Sequence, residues 1–212
     1  MTRDPAFFPM VMSLAGRKCL VVGGGKVAAA KIDGLLHHGA EVVVVSPRAV
    51  KAIQDRAKAG ALQWSRRAFC PTDLEGAFLA VAATSSSQTN AAVFRACTGR
   101  GVLCNSVDDP EHCDFFYPAI VRRGPLQIAI STGGRSPALA ARLRQELEHQ
   151  FGPEWSAWVE HLGQQRGDLL SKKMSAEKRK QRLLQIATPQ AFRTFLRERS
   201  HPATKKKQAR SS

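Results

Sequence analysis

Cys19-Leu-Val-Val-Gly-Gly-Gly-Lys-Val-Ala28 is a short apolar strand that runs into a glycine turn and then into a helix. The turn has the form Gly-x-Gly-x-x-Ala, with each small residue at a position where bulk is costly. Gly23 allows the tight reversal, Gly25 lets a pyrophosphate approach the backbone, and Ala28 lets the helix lie close to the strand. The start of the helix adds unpaired N–H groups and the positive end of its dipole, which together suit an anion.

The neighbouring residues complete a strand, helix, strand unit. Lys18 to Val22 forms the first strand, and Val27, Ala30, Leu35 and Leu36 are expected to supply the apolar face of the helix. Gly39 stops that helix, and Glu41-Val-Val-Val-Val45 reads as a second, β-branched strand. Further along, a helix is expected over 48–60 and short strands over 62–65, 78–83 and 101–104, with another helix over 88–98. This alternation predicts the α/β class: a Rossmann-type, doubly wound, mostly parallel sheet with helices on both faces. Ligands of such sheets bind at the carboxyl ends of the strands. Three of those ends carry turn chemistry, at Gly23–Gly25, Ala83–Ser87 and Asn105–Pro110, and they are expected to converge on one cleft.

The second strand departs from the pattern at its end, where Ser46-Pro47-Arg48 stands in place of the acidic residue that binds the ribose in many NAD sites. Ser46 and Arg48 could accept a 2′-phosphate, or Pro47 could start a loop that leaves Arg48 in solvent. Lys26 opposes the helix dipole unless an anion sits nearby.

A second structural unit is expected after Asp114. Residues 115–121 and 126–130 read as two strands, and Ser131-Thr-Gly-Gly134 is a second glycine turn. Ser136 and Pro137 supply an N-cap and a first-turn proline for a helix whose Leu139, Leu143 and Leu147 should form a buried stripe. Gly152-Pro153 ends it. Two or three shorter helices then run to about Arg199, with Trp155, Trp158, Leu169, Leu183, Phe192 and Phe195 as apolar contacts. The expected division is a nucleotide-binding domain over 1–114, a central region over 115–151, a helical domain over 152–200 and a disordered basic tail over 201–212.

A chain of 212 residues with 43% hydrophobic content can bury a sizeable core. No stretch approaches a membrane span and the first fourteen residues do not resemble a signal peptide, so a cytoplasmic protein without membrane association is expected. The five cysteines are odd in number and include no Cys-x-x-Cys pair, so they suggest neither a disulfide framework nor a zinc site. Of the net charge of +15, residues 166–212 hold +11, fourteen Lys or Arg against three acids. That stretch lacks the interleaved aromatics of a single-strand binder and the spacing of a DNA-binding motif, so nucleic acid is not the expected partner.

Asp108 and Asp109 follow the fifth strand, where a carboxylate could take a proton while hydride leaves a substrate. The competing reading is an Asp-Asp-Pro turn whose side chains bond their own backbone. His112, Cys113 and Asp114 are consecutive and cannot converge on one ion, so no permanent metal is expected. His37, His38 and His149 stand near helix ends, where they suit the dipole. The chain has no Gly-x-Ser-x-Gly elbow and no Walker A sequence, which argues against hydrolase and phosphotransferase chemistry.

Taken in order, Val21-Val-Gly-Gly-Gly25, Ala82-Ala-Thr84, Asn105-x-Val-Asp-Asp-Pro110, Cys113-Asp-Phe115, Pro118-Ala-Ile120 and Ile130-Ser-Thr-Gly-Gly-x-Ser-Pro137 resemble the precorrin-2 dehydrogenase and sirohydrochlorin ferrochelatase family. The resemblance runs from about Phe8 to Phe151. It implies a Rossmann domain joined to a dimerisation region and a small helical domain, with two chains forming a homodimer. The implied activity is oxidation of precorrin-2 to sirohydrochlorin with NAD as hydride acceptor, and in bifunctional members the insertion of Fe2+. Asp108 aligns with the family's catalytic aspartate, which would touch the metal only transiently. Gly23, Gly25, Lys26, Val27, Pro47, Arg48 and Thr84 would meet the cofactor. Asn105, Thr132, Gly133, Gly134, Arg135 and Ser136 would meet the polycarboxylate substrate, with the backbone of 132–134 as an anion nest. The sequence has no counterpart of the methyltransferase domain of larger siroheme synthases, so the chain is not expected to make precorrin-2 itself. A non-catalytic tetrapyrrole carrier and an NAD-responsive regulator that binds nucleic acid are the alternatives.

Overall fold

The computed structural model describes residues 7–200, so the expected tail over 201–212 lies outside the described residues. The chain divides into two compact units, Met1–Tyr117 and Pro118–Ser212.

The first unit is built on a five-stranded sheet in the order β3-β2-β1-β4-β5, parallel throughout. Its strands are β1 (Lys18–Val22), β2 (Glu41–Val45), β3 (Gln63–Ser65), β4 (Leu79–Ala82) and β5 (Leu103–Ser106). Helices α1 (Lys26–His37), α2 (Lys51–Lys58) and α3 (Ser87–Thr98) connect them. Successive residues of a strand face opposite ways, and here both faces are covered. Cys19, Val21, Val42, Val44 and Val81 pack with Ala28, Ile32 and Leu35 of α1 and Ile53 of α2. Leu20, Val22, Ala80 and Ala82 pack with Val93 and Cys97 of α3. The doubly wound fold read from the alternation is therefore the fold observed.

Three local expectations change. The buried face of α1 is Ala28, Ile32 and Leu35, while Val27 is 49% exposed and Ala30 is also exposed. The stripe starts at the small residue that the close helix-to-strand approach demands. The fifth strand begins two residues later than expected, because Gly101 (φ +65) and the bond from the Val102 N–H to the Cys97 carbonyl prolong the turn after α3. Asn105 and Ser106 thus belong to the strand. Residues 115–118 are not strand either: the Phe115 carbonyl accepts a bond from Asn105 Nδ2 at 2.9 Å, and Pro118 has no N–H to give a ladder.

The second unit holds a two-stranded antiparallel hairpin, β6 (Ala119–Arg123) and β7 (Leu126–Ile130), turning at Gly124 (φ +56) and Pro125. Four helices follow: α4 (Pro137–Gln150), α5 (Glu154–Ser171), α6 (Ala176–Ile186) and α7 (Pro189–Ser200). Ser136 caps α4 by accepting the Leu139 N–H, as its position suggested. The expected leucine stripe is not buried, since Leu139 is 47% exposed and only Ala140 of this helix is fully covered. Helix α5, with 18 residues, is longer than α4 and so not one of the short helices expected. Aromatic contacts join α5 to α7, with Trp155 and Phe192 centroids 4.7 Å apart and Trp158 and Phe195 centroids 5.1 Å apart.

Candidate functional site

Strands β1, β2 and β4 end side by side, and their carboxyl ends open into a pocket of about 670 Å3. Its wall includes Gly23, Gly24 and Gly25 from the glycine turn, Pro47 and Arg48 after β2, and Thr84 after β4. The turn is stitched to its neighbours by backbone bonds. The Gly23 N–H donates to Val45 O at 3.0 Å, the Ala83 N–H to Val22 O at 2.8 Å, and the Val50 N–H to Gly24 O at 2.8 Å.

The three glycines are not equivalent. A Cβ on Gly23 would lie 2.2 Å from the Ala83 carbonyl oxygen, and one on Gly24 would lie 2.0 Å from that of Arg48. These two glycines let backbones pack. A Cβ on Gly25 would meet nothing within 4 Å, so the space beside it is open. Gly25 is the N-cap of α1 and has no side chain to satisfy the first-turn N–H groups. An open cradle beside unsatisfied donors at a helix start fits the pyrophosphate of a dinucleotide. Lys26 and Val27 stand in that first turn with their side chains exposed and outside the pocket wall, so what they bring to the cradle is backbone N–H.

The Ser46 hydroxyl donates to Arg48 O at 2.7 Å and so shapes the turn after β2, while Arg48 is exposed at the pocket. Sequence reading missed Gly24 and the wall formed by Ala68, Phe69 and Thr89, all of which line the pocket. It also missed Asn90, which is 5% exposed and clamps Thr84. The Asn90 Oδ1 accepts from Thr84 Oγ1 at 2.7 Å and from the Thr84 N–H at 3.2 Å, and its Nδ2 donates to Thr84 O at 3.2 Å. Asn90→Leu leaves the Thr84 backbone N–H and carbonyl unpaired, while the Thr84 hydroxyl keeps its bonds to Ser86. It should cost about 2 kcal/mol, read as a fall of about 4–8 °C in Tm, with a higher KM for the cofactor as the turn loosens.

Asp108 follows β5 with φ 61, the one non-glycine residue in the left-handed region among those described. Aspartate tolerates this conformation better than most residues, yet it remains a strained position of the kind found at functional sites. Neither aspartate makes the side-chain bond of a simple turn. The Asp109 Oδ2 lies 2.6 Å from His112 Nδ1, whereas the Asp108 carboxylate accepts no hydrogen bond among the described residues. The neighbouring Asp114 carboxylate accepts the Cys104 N–H at 2.8 Å, and Cys113 Sγ donates to Ser106 O at 3.1 Å. His112, Cys113 and Asp114 are thus tied to three different partners. Asn105 is 6% exposed, with its amide donating to Phe115 O.

The remaining candidates lie in the second unit. Gly133 (φ +61) and Gly134 (φ +79) make the left-handed turn. The Gly133 N–H donates to Ser131 Oγ at 3.2 Å, and the Ser136 N–H donates to Thr132 Oγ1 at 3.1 Å. The nest is therefore smaller than expected: the N–H groups of Thr132 and Gly134 are its donors without a protein acceptor among the described residues. Arg135 is exposed beside them.

Residues 10–119 match the family described as putative NAD(P)-binding, and residues 123–150 match the central region of a sirohaem biosynthesis protein. A siroheme synthase of Pectobacterium atrosepticum is 45% identical over 142 residues, 67% of this chain and 30% of that protein. One from Serratia proteamaculans is 39% identical over 163 residues, 77% of this chain and 34% of that protein. The chain thus spans about a third of the length of these relatives. The solved structure of SirC, a precorrin-2 dehydrogenase, superposes with a TM-score of 0.79 at 27% identity, covering 92% of this chain and 96% of that one. Because the first match takes in over half of the sequence and the superposition nearly all of it, the chain belongs to the putative NAD(P)-binding family, as a siroheme-synthase-like module with the fold of precorrin-2 dehydrogenase.

Proposed function

We propose that this chain is an NAD-dependent dehydrogenase that oxidises precorrin-2 to sirohydrochlorin. The observation that carries the reading is the glycine-cradled pocket at the strand ends, in a chain that follows SirC over nearly its whole length. The backbone at Gly25, Lys26 and Val27 would hold the dinucleotide's pyrophosphate, with Thr84 beside it and Pro47 and Arg48 toward the adenosine end. When bound, NAD supplies the acceptor for the electron pair leaving the substrate. Asp108 takes the accompanying proton onto its carboxylate. In iron insertion, a second activity supported by the likeness to siroheme synthases, the same carboxylate would collect protons from the pyrrole nitrogens as the substrate Fe2+ enters the ring.

The residues proposed to receive acetate and propionate arms are Asn105 in the first unit and, in the second, Gly133, Ser136, the Thr132 and Gly134 N–H groups and the Arg135 guanidinium. Arg135→Ala should raise KM for precorrin-2 about fivefold, since an exposed ion pair contributes up to about 1 kcal/mol. An unchanged KM removes Arg135 from the set. A homodimer fits the exposed Leu139 and the hairpin, whose outer edges pair with no further strand among the described residues. A cytoplasmic location fits five cysteines that are all free.

The test is anaerobic incubation with precorrin-2 and NAD, with and without Fe2+ or Co2+, followed by absorbance. NADH and sirohydrochlorin should appear together, with metal insertion following where metal is present. Precorrin-2 that binds and stays reduced would instead make the protein a carrier.

A further inference from the structure

Lys31 lies in the second turn of α1, half-buried, with Nζ 3.8 Å from the centroid of the Tyr117 ring. Burial pushes its ammonium below the ordinary lysine range, and the negative charge of Asp108 pulls the other way. Among the described residues no atom accepts a hydrogen bond from its three N–H groups, and no carboxylate oxygen comes within the 4.0 Å of an ion pair. Lys18 shows what a structural lysine does in this unit: its Nζ donates to the carbonyls of Asp73 and Glu75 at 3.2 and 2.6 Å.

The surroundings of Lys31 are built. Asn105 ties the loop after β5 back onto itself through the Phe115 carbonyl, and the Phe115 ring lies 5.6 Å from that of Tyr117. The loop that carries Asp108 thereby lays an aromatic face against the ammonium. A desolvated cation without an acceptor is costly, and the nearby Asp108 carboxylate is in range to influence it but not to pair with it. A polycarboxylate drawn toward Asp108 meets like charge there, and a cation beside it offsets that repulsion.

We propose that Lys31 is an anion-binding residue beside Asp108, which holds a carboxylate arm of the substrate while its ring is presented to the aspartate. The identity of the ligand as a tetrapyrrole rests on the dehydrogenase reading; the anion site does not.

The experiment titrates the stable octacarboxylate uroporphyrin into the full chain and into Lys31→Met and Lys31→Gln, by fluorescence. In parallel, NAD affinity, Tm and precorrin-2 turnover are measured. Both variants should bind the porphyrin about tenfold more weakly, with KM for precorrin-2 raised in proportion. NAD affinity should not move, and Tm should change little, because the cation–π contact with Tyr117 that is lost and the desolvation of the ammonium that is relieved oppose each other. If either variant is folded and binds as wild type does, or wild type binds no porphyrin, the anion site is refuted. If binding falls in the variants but no protein oxidises precorrin-2, the anion site stands and the dehydrogenase reading falls.

Discussion

Asp108→Asn is expected to lower kcat for precorrin-2 oxidation by about 100- to 10000-fold, the range a positioned general base supplies. The substitution is a clean one, because asparagine shares the tolerance of aspartate for the left-handed region in which residue 108 sits. The backbone is kept and the proton acceptor is lost. KM for NAD should stay within about twofold, since Asp108 is not part of the pocket wall. Asp108→Gly separates strain from chemistry further. Glycine adopts φ 61 without the Cβ penalty of about 1–2 kcal/mol, partly offset by about 0.4–1 kcal/mol of unfolded-chain entropy. Its Tm should rise slightly while activity is lost. Asp109→Asn is the control: that carboxylate is engaged by His112 at 2.6 Å, so turnover should fall by less than about tenfold. Near-normal turnover in Asp108→Asn would remove this residue from the reaction and shift attention to Asp109.

The sequence was most legible where one physical cause acted alone. The glycine turn and the runs at β1 and β2 read correctly because strands buried on both faces must be apolar along their length. The edge of the sheet was harder. Asn105 and Ser106 look like loop residues, yet they are 6% and 2% exposed within β5, and the Ser106 hydroxyl has no partner among the described residues. Polarity hid the strand, and with it the point at which the Asp108 loop begins. The helix facing that loop misled in the other direction, because Val27 is more apolar than Ala28 but only the smaller residue fits against the sheet. The Ala68–Phe69 wall and Lys31 carry no local signal, since they reach their places only through tertiary packing. Leu139 was readable as apolar but not as exposed, because periodicity reports that a face will be covered and not by what.

The glycine turn offers the sharpest separation of folding from binding. Gly24→Ala should lower Tm by about 6–12 °C, the equivalent of about 3 kcal/mol from overpacking. The new Cβ would stand 2.0 Å from Arg48 O, 2.8 Å from Ala49 Cα and 2.9 Å from Arg48 C, all of them backbone atoms that cannot swing aside. Gly23→Ala should do the same, with φ +130 adding strain to the contact with Ala83. Gly25→Ala should leave Tm nearly unchanged. Its φ of −82 suits any residue, and its Cβ would have no neighbour within 4 Å. The poorer N-cap costs about 0.5–1 kcal/mol, and the stiffer unfolded chain returns about as much. What the methyl does occupy is the approach to the α1 N–H groups, so Kd for NAD should rise about tenfold or more. Thermal denaturation and NAD titration on the three variants check both halves. Were Gly25→Ala to bind NAD like wild type, the pyrophosphate could not lie against this turn, and the same measurement on Gly24→Ala would then report only the fold.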